Sequence, residues 1–528
     1  MGSTIEKMLK RPVIIIKDYF QWKKSEAEFA KFVNKWKSNW EKTDHELKGS
    51  IAVVIHPWSI TAVPWFFIAI ALFFTQANKK VTIILDDFEF GRDKFFFDIQ
   101  IRSIKRILSL LPQSINVIYL SSLKRNGKSN PPDNKIIDEL ATLNTIHFMK
   151  GELLEKGRKE YFNLIHQQLE NVSGSICQMF DENSFDLIVV GGGIWGSSGL
   201  YLKLAKKHNI RAATLDGSLG SVLLSINGVA SYQSDIPLAF HQLDEINLDK
   251  ILRAAQTEME KRKLGIDNVG TQSPTHQKIP YSKTEYKNDV GILLLLNVIW
   301  DSAALGLHTV FKTTGDWVLE SIQWVLENTD EVITIRQHPS ERTVEAKSND
   351  DYHVLIDQHF GHNERIRFIS AIDDVNTYNL IEKSRFVISF STTASMEAVS
   401  MGKIVINISR CYYSDLGFVY NSKTKEEYFT HLKNAVNGTI GVSPKQKEDA
   451  LKCYYLGQCC NLVHTIFTPI PDDFKKWVNE DPEVIYDLDD VKNYLYAIEN
   501  GIPISLIRHQ DKMRKMVLSS DCLEPTLP

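Results

Sequence analysis

Short apolar runs alternate with amphipathic segments along the first half of the chain. Six such runs precede residue 220: SIAVVIHPWSI (50–60), KKVTIILDD (79–87), SINVIYLSS (114–122), TIHFMK (145–150), FDLIVVGGG (185–193) and IRAATLDGS (210–218). Continuous apolar runs are typical of parallel strands whose sheet is covered by helices on both faces. Between them, PWFFIAIALFFTQA (64–77) and GLYLKLAKKHN (199–209) predict crossover helices. The alternation therefore predicts a doubly wound α/β domain.

A second series of the same kind begins at DVGILLLLNVIWD (289–301). After a helix pattern over residues 315–327, four more strand-like runs follow: EVITIRQHP (331–339), RIRFIS (365–370), RFVISF (385–390) and KIVINIS (403–409). The stretch 241–288 breaks the alternation with a charged helix and many turn formers, which is typical of an interdomain connection. From about residue 445 the pattern is helical and rich in aromatic residues.

The two series predict the fold class α/β, with two Rossmann-like doubly wound domains facing across a cleft and a helical C-terminal tail. Five segments follow from the boundaries of the pattern: a helical extension at 1–49, a Rossmann-like domain at 50–240, a connection at 241–288, a second Rossmann-like domain at 289–444 and the tail at 445–528. A chain of 528 residues is too long for a single compact core, which agrees with this division.

Composition removes several classes of function. A net charge of −4, with no extended basic patch, argues against a nucleic-acid-binding protein that works by bulk charge. The six cysteines have no C-x-x-C spacing, so they indicate neither a zinc site nor a disulfide scaffold, and they favour a reducing compartment. The apolar segment 64–77 is too short to span a bilayer. We expect a cytoplasmic protein and leave open a peripheral attachment to the inner face of the membrane.

The motif RQHPSER (336–342) follows a predicted strand, at the sheet edge where open α/β folds bind ligands. Arg336 offers a planar donor fork for phosphate, and His338 can donate a hydrogen bond or carry charge. Pro339 ends the strand and fixes the direction of the histidine, and we include Glu341 among the nucleotide-binding candidates. The alternative is a surface turn with a chance histidine.

A second motif, STTA (391–394), also lies between a predicted strand and a helix. The hydroxyls of Ser391, Thr392 and Thr393 can cap backbone N–H groups, and the same helix start attracts an anion. Glu397 lies in the first turn, where its charge suits the helix dipole, and it could also accept hydrogen bonds from ribose hydroxyls. A capped core helix with no ligand is the alternative.

The third polar strand end is NVIWDSA (297–303). Asn297, Trp300 and Asp301 are polar or amphipathic where the strand should meet the ligand site, so all three are candidates for nucleotide binding. A simple helix cap at Asp301 explains the same residues.

In the first half, GGGIWGSSG (191–199) resembles a phosphate turn but does not fit G-x-G-x-x-G in register and lacks the P-loop lysine. We interpret Gly192, Gly193 and Trp195 as residues that let an acceptor approach the backbone closely, and we add Tyr232 from SYQSDIP to this group. The pair Asp86 and Asp87 has no accompanying ligand cluster, so no metal site is predicted.

A group that activates an attacking hydroxyl must be a carboxylate or a histidine within hydrogen-bond reach of it. Asp216, at a predicted strand end, is the first choice, and Asp235 and His56 follow it. Each of the three also has a purely structural interpretation.

The motifs NVIWDSA, RQHPSE, SFSTTASMEAVSMGKIVI and YYSDLGF, in this order, resemble bacterial capsule and surface-polysaccharide glycosyltransferases of the GT-B fold. The resemblance implies that residues 289–444 bind a nucleotide-sugar donor and that residues 50–240 present a saccharide or glycolipid acceptor. His338 with Pro339, and Ser391 with Thr392, match the phosphate-contacting motifs of capsule Kdo transferases and bacterial sialyltransferases. This slightly favours a CMP-linked donor, although LDG (215–217) has leucine where those enzymes often have a first acid.

The resemblance also implies a mechanism. A retaining pattern of two glutamates eight positions apart is broken, because Ser389 stands where the first would be and only Glu397 matches the second. An inverting transfer that needs no metal or other cofactor is therefore the expectation, with His338 stabilising the leaving phosphate and a first-half acid as the base. Three alternatives stay open: a sugar-nucleotide epimerase, a polyol-phosphate transferase of the wall-teichoic type, and a non-catalytic scaffold in a polysaccharide assembly complex.

Overall fold

The structure is a computed structural model. It describes residues 2–41, 46–58, 61–91, 94–123, 132–153, 155–218, 220–226, 228–266, 286 and 288–521, with side chains from residue 18 to residue 515 except that of Ser218. The end of the first predicted strand, residues 59–60, lies outside the described residues. The same holds for residues 267–285 and 287, which form most of the turn-rich part of the predicted connection.

The first sheet has seven strands. In chain order they are β1 (Lys48–Ile55), β2 (Lys79–Leu85), β3 (Asn116–Tyr119), β4 (Leu187–Gly191), β5 (Arg211–Ser218), β6 (Ser221–Ile226) and β13 (Val463–His464). Their order across the sheet is β13-β6-β5-β4-β1-β2-β3. The pairs from β3 to β5 are parallel, whereas β6 is antiparallel to both β5 and β13. The parallel part has the doubly wound order that the apolar runs predict.

The second sheet has six strands, all of them parallel to their neighbours. They are β7 (Ile292–Leu295), β8 (Ile333–Arg336), β9 (Ile366–Ile369), β10 (Phe386–Ser389), β11 (Val405–Asn407) and β12 (Tyr420–Asn421). Their order, β12-β11-β10-β7-β8-β9, is the Rossmann order, in which the first strand lies beside the fourth. The two sheets confirm the predicted α/β class with two Rossmann-like folds.

Helices connect the strands of the first series and extend it at the N-terminus. Their bounds are Gly2–Trp40, Val63–Gln76, Lys94–Leu108, Asn134–Met149, Arg158–Glu182, Ser198–Lys207, Ile236–Gln242 and Leu248–Lys263. Val63–Gln76, which the apolar segment 64–77 predicts, is buried on all sides and has proline in its first turn, where no N–H is needed. None of the described helices is both long and apolar enough to cross a membrane.

The second series has helices between its strands and a helical region after them. Their bounds are Thr314–Asn328, Tyr352–Phe360, Thr377–Lys383, Ala394–Ser400, Lys425–Val436, Pro444–Tyr454, Pro471–Trp477, Pro482–Tyr486, Asp489–Asn500 and Ile504–Asp521, with a π-helix at Tyr455–Asn461. The predicted helical C-terminal region is present. It also contributes strand β13 to the edge of the first sheet, which the sequence pattern does not predict.

One predicted strand is wrong. The run TIHFMK (145–150) forms the end of the helix Asn134–Met149. The buried residues Ile137, Leu140, Ala141 and Asn144 recur at intervals of three and four, which is the helical period. A short apolar run does not by itself distinguish a strand from a buried helical turn, and here the packing of the preceding turns decides.

The chain forms two compact units that interleave along the sequence. Unit 1 contains residues 1–141, 163–230 and 463–504, and unit 2 contains residues 142–162, 231–462 and 505–528. The predicted boundaries at residues 50, 241, 289 and 445 do not include this interleaving. For example, the helix Leu248–Lys263 lies in the predicted connection, but its buried face joins the hydrophobic core of unit 2.

The N-terminal helix packs within unit 1 through a cluster of aromatic side chains. Trp22 stacks on Trp65 with ring centroids 4.7 Å apart, and Phe29 stacks on the same tryptophan at 5.3 Å. Phe32 meets Trp477 edge to face at 5.5 Å. Large buried aromatic rings contribute strongly to core stability, so the described part of this helix belongs to the core of unit 1.

Candidate functional site

Unit 2 contains a cavity at the carboxyl ends of its central strands, which we call the first cavity. Fifteen residues line it: Arg262, Gly265, Leu295, Leu296, Arg336, Gln337, His338, Pro339, Ser340, Thr377, Tyr378, Thr392, Thr393, Ala394 and Glu397. Two of the motifs identified in the sequence therefore meet in one cavity.

His338 lies directly after β8, where Pro339 begins a short 3₁₀ helix. The His338 Nδ1 accepts a hydrogen bond from the Ser340 N–H at 3.2 Å. In a neutral imidazole, an accepting Nδ1 places the proton on Nε2. The half-buried ring thus has a fixed tautomer, with its proton on Nε2.

Arg336 is oriented differently from the prediction. Only 2% of it is exposed, and its guanidinium donates to the carbonyl oxygens of Ser370 and Val375, the latter at 3.0 Å. Burial lowers its pKa to about 10, so it stays charged at neutral pH. Although Arg336 lines the first cavity, its terminal nitrogens hold the loop after β9. Its Nε has no hydrogen-bond partner among the described residues.

Glu341 does not line the cavity. Its carboxylate accepts hydrogen bonds from the Ser348 N–H at 3.1 Å and from the Gln337 side chain at 3.2 Å. Burial raises its pKa. Glu341 therefore stabilises the loop that carries His338, and the structure does not place it where it was predicted, among groups that can reach a ligand.

The three hydroxyls of STTA have different positions. Ser391 lies outside the cavity lining, because its Oγ donates to the Ala303 carbonyl at 3.1 Å and its N–H donates to Asn297 Oδ1 at 3.3 Å. Thr392 and Thr393 line the cavity, and the Thr392 Oγ1 also accepts from the Ala394 N–H at 3.3 Å. Thr393 occupies the N-cap position of the next helix without a side-chain capping bond.

Glu397 lies in the first turn of the helix Ala394–Ser400, as predicted, and its side chain is buried. It is 2% exposed, and its Oε1 lies 3.5 Å from the Nε of Arg262. Burial, followed by the charge of Glu397, raises the pKa of Tyr378, which lines the same part of the cavity. Arg262 also donates to Gln458 Oε1 at 3.2 Å, so the ion pair is tied to the π-helix.

The motif NVIWDSA supports the site without lining it. Asn297 positions Ser391, as described above. Lys150 Nζ lies 4.6 Å from the centre of the Trp300 ring, in a cation–π contact. Asp301 is exposed, and it accepts hydrogen bonds from the Ala303 N–H and the Ser302 hydroxyl at 3.2 Å each. These three predicted nucleotide ligands therefore act locally, in turns and packing.

Two residues predicted for the first domain lie in unit 2. Tyr232 donates its hydroxyl proton to the Leu305 carbonyl. Asp235 is 6% exposed and stands at the start of the helix Ile236–Gln242. Neither residue lines the first cavity. The predicted roles of Tyr232 in acceptor binding and of Asp235 as a base assumed that the first domain extends to residue 240. In the structure, this segment of unit 1 ends at residue 230.

Unit 1 contains a separate cavity, which we call the second cavity. Its lining residues are His56, Trp58, Val63, Phe66, Phe67, Gly191, Gly192, Trp195, Ser198, Leu215, Asp216, Gly217 and Pro469. Four predicted residues meet here: Asp216, His56, Gly192 and Trp195. Gly192 has φ +67°, and a Cβ at this position would lie 3.1 Å from the Trp195 ring, so only glycine fits this turn without strain. Gly193 does not line the cavity.

A cluster of polar residues lies behind His56. The His56 Nε2 is 3.2 Å from Ser197 Oγ and 3.6 Å from Asp86 Oδ2. The Ser197 hydroxyl donates to the same carboxylate oxygen of Asp86. Burial lowers the pKa of His56 to about 4 and raises that of Asp86 to about 6. Among the described residues, no group of three or more His, Cys, Asp or Glu side chains is arranged to hold a metal ion.

Sequence reasoning missed Arg262, Tyr378 and Ser197. Arg262 lies in a helix that was interpreted as a connection, and its amphipathic spacing was the one available indication that this helix joins a core. Ser197 belongs to the glycine-rich motif GGGIWGSSG, which was considered only for its backbone. The sequence shows no metal-ligating residues beside Asp86 and Asp87, so it does not mark Asp86 as functional. In the structure, the partners of Asp86 are a histidine and a serine.

Comparisons with known proteins address the same region. The model of the capsule polysaccharide biosynthesis protein family matches residues 238–437. That segment contains every residue that lines the first cavity. No curated protein matches the sequence.

Several solved structures are similar to parts of the chain. The beta Kdo 2,4 transferase KpsC of Thermosulfurimonas dismutans is 13% identical, with 51% of this chain and 79% of that chain covered and a TM-score of 0.35. The UDP-GlcNAc 2-epimerase of Methanocaldococcus jannaschii, in complex with UDP-GlcNAc and UDP, is 12% identical over 76% and 97%, with a TM-score of 0.26. MurG of Acinetobacter baumannii is 9% identical over 82% and 98%, with a TM-score of 0.24.

None of these TM-scores reaches 0.5, so the structural similarities identify neither a reaction nor a substrate for this chain. The family match is independent of them, and it spans β7 to β12 together with the RQHP and STTA motifs. The predicted resemblance to proteins of capsule polysaccharide biosynthesis is therefore confirmed over residues 238–437.

Proposed function

We propose that this protein is a glycosyltransferase of surface or capsular polysaccharide synthesis and that the first cavity binds the nucleotide part of its donor. One observation carries the proposal: His338 after β8 and the hydroxyl residues Thr392 and Thr393 after β10 line the same cavity. These two strands lie on either side of β7. Carboxyl ends of strands at this point of a doubly wound sheet are where such folds bind ligands.

The groups in the cavity suit a phosphate that becomes a leaving group. The His338 ring needs little reorganisation, because the hydrogen bond at Nδ1 already holds it, and the hydroxyls of Thr392 and Thr393 are further donors in the same cavity. Donors fixed in this way stabilise the charge that develops on a departing oxygen. Arg336 contributes positive charge at the cavity lining, while its hydrogen bonds hold the loop after β9.

Glu397 and Arg262 supply the polar end of the same cavity. We assign Glu397 to the ribose hydroxyls, since a carboxylate accepts hydrogen bonds from neighbouring hydroxyl groups. Arg262, 3.5 Å from this carboxylate, is its positive partner inside the protein. A scaffold protein would have no need of a buried charge pair beside a polar cavity, because buried ion pairs contribute little net stability compared with apolar residues.

A thermal-shift panel with CMP, UDP, GDP and CDP tests the donor site. A nucleotide present at a hundred times its Kd should stabilise the folded protein by about 2.7 kcal/mol, and CMP is slightly favoured. If none of the four raises the Tm, the assignment of the first cavity is wrong. The nucleotide that raises the Tm most shows which nucleobase the donor carries. Sugar nucleotides with that nucleobase are then used in assays of nucleotide release.

Turnover assays distinguish the rival activities. Release of free nucleotide that depends on a saccharide or glycolipid acceptor supports glycosyl transfer, while conversion of the sugar nucleotide without an acceptor supports an epimerase. The stereochemistry at the anomeric carbon, read by NMR, tests the proposed inversion. Equal rates with and without EDTA support the proposed independence from metal ions.

A further inference from the structure

The second cavity lies at the switch point of the first sheet. Strands β1 and β4 are parallel neighbours there, but β1 leads to β2 on one side and β4 leads to β5 on the other. This divergence opens a crevice at the carboxyl ends of the two strands. His56 follows β1, and the turn with Gly192 and Trp195 follows β4. The position is thus one where a ligand is expected on topological grounds alone.

The hydrogen bonds behind His56 fix its tautomer. The Ser197 hydroxyl has one proton, which it donates to Asp86 Oδ2. The Ser197 oxygen, 3.2 Å from His56 Nε2, is therefore the acceptor of a proton on Nε2. The other ring nitrogen, Nδ1, consequently carries a lone pair, and it has no hydrogen-bond partner among the described residues.

The walls of the second cavity fit a sugar ring. Aromatic and apolar side chains form most of the lining, and its large rings are those of Trp58, Phe66, Phe67 and Trp195. The flat C–H face of a pyranose packs well against such rings, while its hydroxyls need a few polar groups. His56 and Asp216 are the ionisable side chains among the lining residues.

We propose that the second cavity binds the acceptor sugar and that His56, Ser197 and Asp86 form a proton relay for its attacking hydroxyl. The proposal rests on the glycosyl transfer proposed above. In this relay, His56 is the catalytic residue that contacts the attacking hydroxyl. Ser197 and Asp86 are positioning residues that act through His56. Asp216, the first choice from the sequence, then binds another hydroxyl of the same sugar.

The proton balance of the step is complete. The acceptor oxygen forms a bond to the anomeric carbon of the sugar nucleotide, and the bond from that carbon to the phosphate oxygen breaks with its electron pair. The hydroxyl proton passes to His56 Nδ1 while Nε2–H passes to Ser197 Oγ and the Ser197 proton passes to Asp86 Oδ2. At the end Asp86 is a carboxylic acid and His56 is the other neutral tautomer, so the buried imidazole does not become charged.

The surroundings of Asp86 support a carboxylate that takes up a proton near neutral pH. Burial and the charge of Asp87 raise its pKa, while hydrogen bonds from Ser197, the Phe88 N–H and Tyr201 lower it, with a net value of about 6. Asp87 itself is paired with Lys105 at 3.0 Å. At pH 7 the relay thus begins with an ionised Asp86 and a neutral His56, whose pKa is about 4.

Nitrogen NMR of the full chain with labelled histidine tests the tautomer without any acceptor. The His56 signals are assigned by their loss in His56→Gln. We expect a neutral ring with its proton on Nε2 from pH 5 to pH 8, and a change of its shifts near pH 6 that disappears in Asp86→Asn. A proton on Nδ1, an imidazolium at pH 7 or an unchanged titration in Asp86→Asn would overturn the relay.

An activity test uses methyl glycosides of glucose, galactose and mannose as hydroxyl probes, with the sugar nucleotides that the thermal-shift panel selects. His56→Gln and Ser197→Ala should lower acceptor-dependent release of nucleotide about 100-fold or more. Ser197→Thr, which keeps the hydroxyl, should restore most of the rate. Asp87→Asn is the control outside the relay. At pH 8, where Asp86 is ionised with or without the neighbouring charge, it should retain the rate of the unmodified protein.

The rate should also fall as the pH is lowered through about 6 in the unmodified protein, since protonated Asp86 cannot accept a proton. The proposal would be contradicted if His56→Gln had an unchanged rate. It would also be contradicted if Ser197→Ala had an unchanged rate and an unchanged pH profile. The two proposals fail separately. If the nucleotides do not bind, the proposed function is wrong, and the NMR measurement still tests the tautomer on which the relay depends. If they bind and His56→Gln keeps its activity, only the relay is wrong.

Discussion

The Nε of Arg262 lies 3.5 Å from Oε1 of Glu397, and the carboxylate is only 2% exposed. Arg262 lies in the last turn of the helix Leu248–Lys263, which precedes the second sheet, and Glu397 lies in the helix Ala394–Ser400, which follows β10. This pair joins the two segments at the wall of the first cavity. A residue of the predicted connection thereby becomes part of the proposed donor site.

Replacing Arg262 with Ala should destabilise the protein by about 3 kcal/mol, because it leaves the Glu397 carboxylate buried without its cation. Chemical denaturation of the full chain measures this change. The double variant Arg262→Met, Glu397→Leu should recover most of the loss, since it removes both charges. Equal losses in the single and double variants would contradict a direct interaction between the two side chains.

The variant His338→Asn distinguishes the contributions of the two ring nitrogens of His338. The shorter amide can still accept a hydrogen bond from the Ser340 N–H, but it lacks the Nε2 donor. We expect a nucleotide Kd that rises about 10- to 150-fold, equivalent to about 1.5–3 kcal/mol for a hydrogen bond to a charged group. Isothermal titration calorimetry measures the Kd. An unchanged Kd would remove His338 from the donor site.

Ser391→Ala and Thr393→Val form a matched pair within one motif. Ser391 donates to the Ala303 carbonyl outside the cavity lining, so its removal should lower stability by about 1 kcal/mol and leave the Kd unchanged. Thr393 lines the cavity and makes no capping bond, so its replacement should weaken nucleotide binding and leave the Tm nearly unchanged. The opposite pattern would mean that the two hydroxyls have exchanged roles.

Asp86 predicts a pH dependence of stability that needs no substrate. Its pKa rises from 3.8 to about 6 on folding because the carboxylate is buried. The folded state therefore holds the proton more tightly, so this group stabilises the protein at low pH and the contribution is lost as the pH rises through about 4 to 6. Going from pH 7 to pH 5 should add about 1 kcal/mol from this group.

Asp86→Asn should lack that increment, so comparing the denaturation free energies of the two proteins at pH 5 and pH 7 isolates it from other titrating groups. The Asp87→Asn variant is the control, because it keeps the Asp86 carboxyl group and should therefore keep an increment that Asp86→Asn lacks. Asp87 lies beyond the end of β2 and pairs with Lys105. If the unmodified protein and Asp86→Asn show the same pH dependence, Asp86 does not titrate in this range.

Most strands of both sheets could be predicted from the sequence, because a buried parallel strand must be apolar at nearly every position. The run VITIR (332–336), for example, contains β8, and all four residues of that strand, Ile333–Arg336, are buried. The rule that ligands bind beyond the carboxyl ends of strands then identified RQHP and STTA, and both line the first cavity. TIHFMK failed because six residues are too few to show which period the packing will use.

The sequence by itself determined the fold class, most of the strands in each series and the loops that carry polar groups. Only the tertiary structure decided which side chain of each motif reaches a cavity. His338 and Thr393 reach the first one, while Ser391 binds the backbone and Asp86 pairs with Ser197 beside the second cavity. The reason is physical: a side chain at a strand end turns toward the hydrogen-bond partners around it, and here those partners come from segments far away in the sequence.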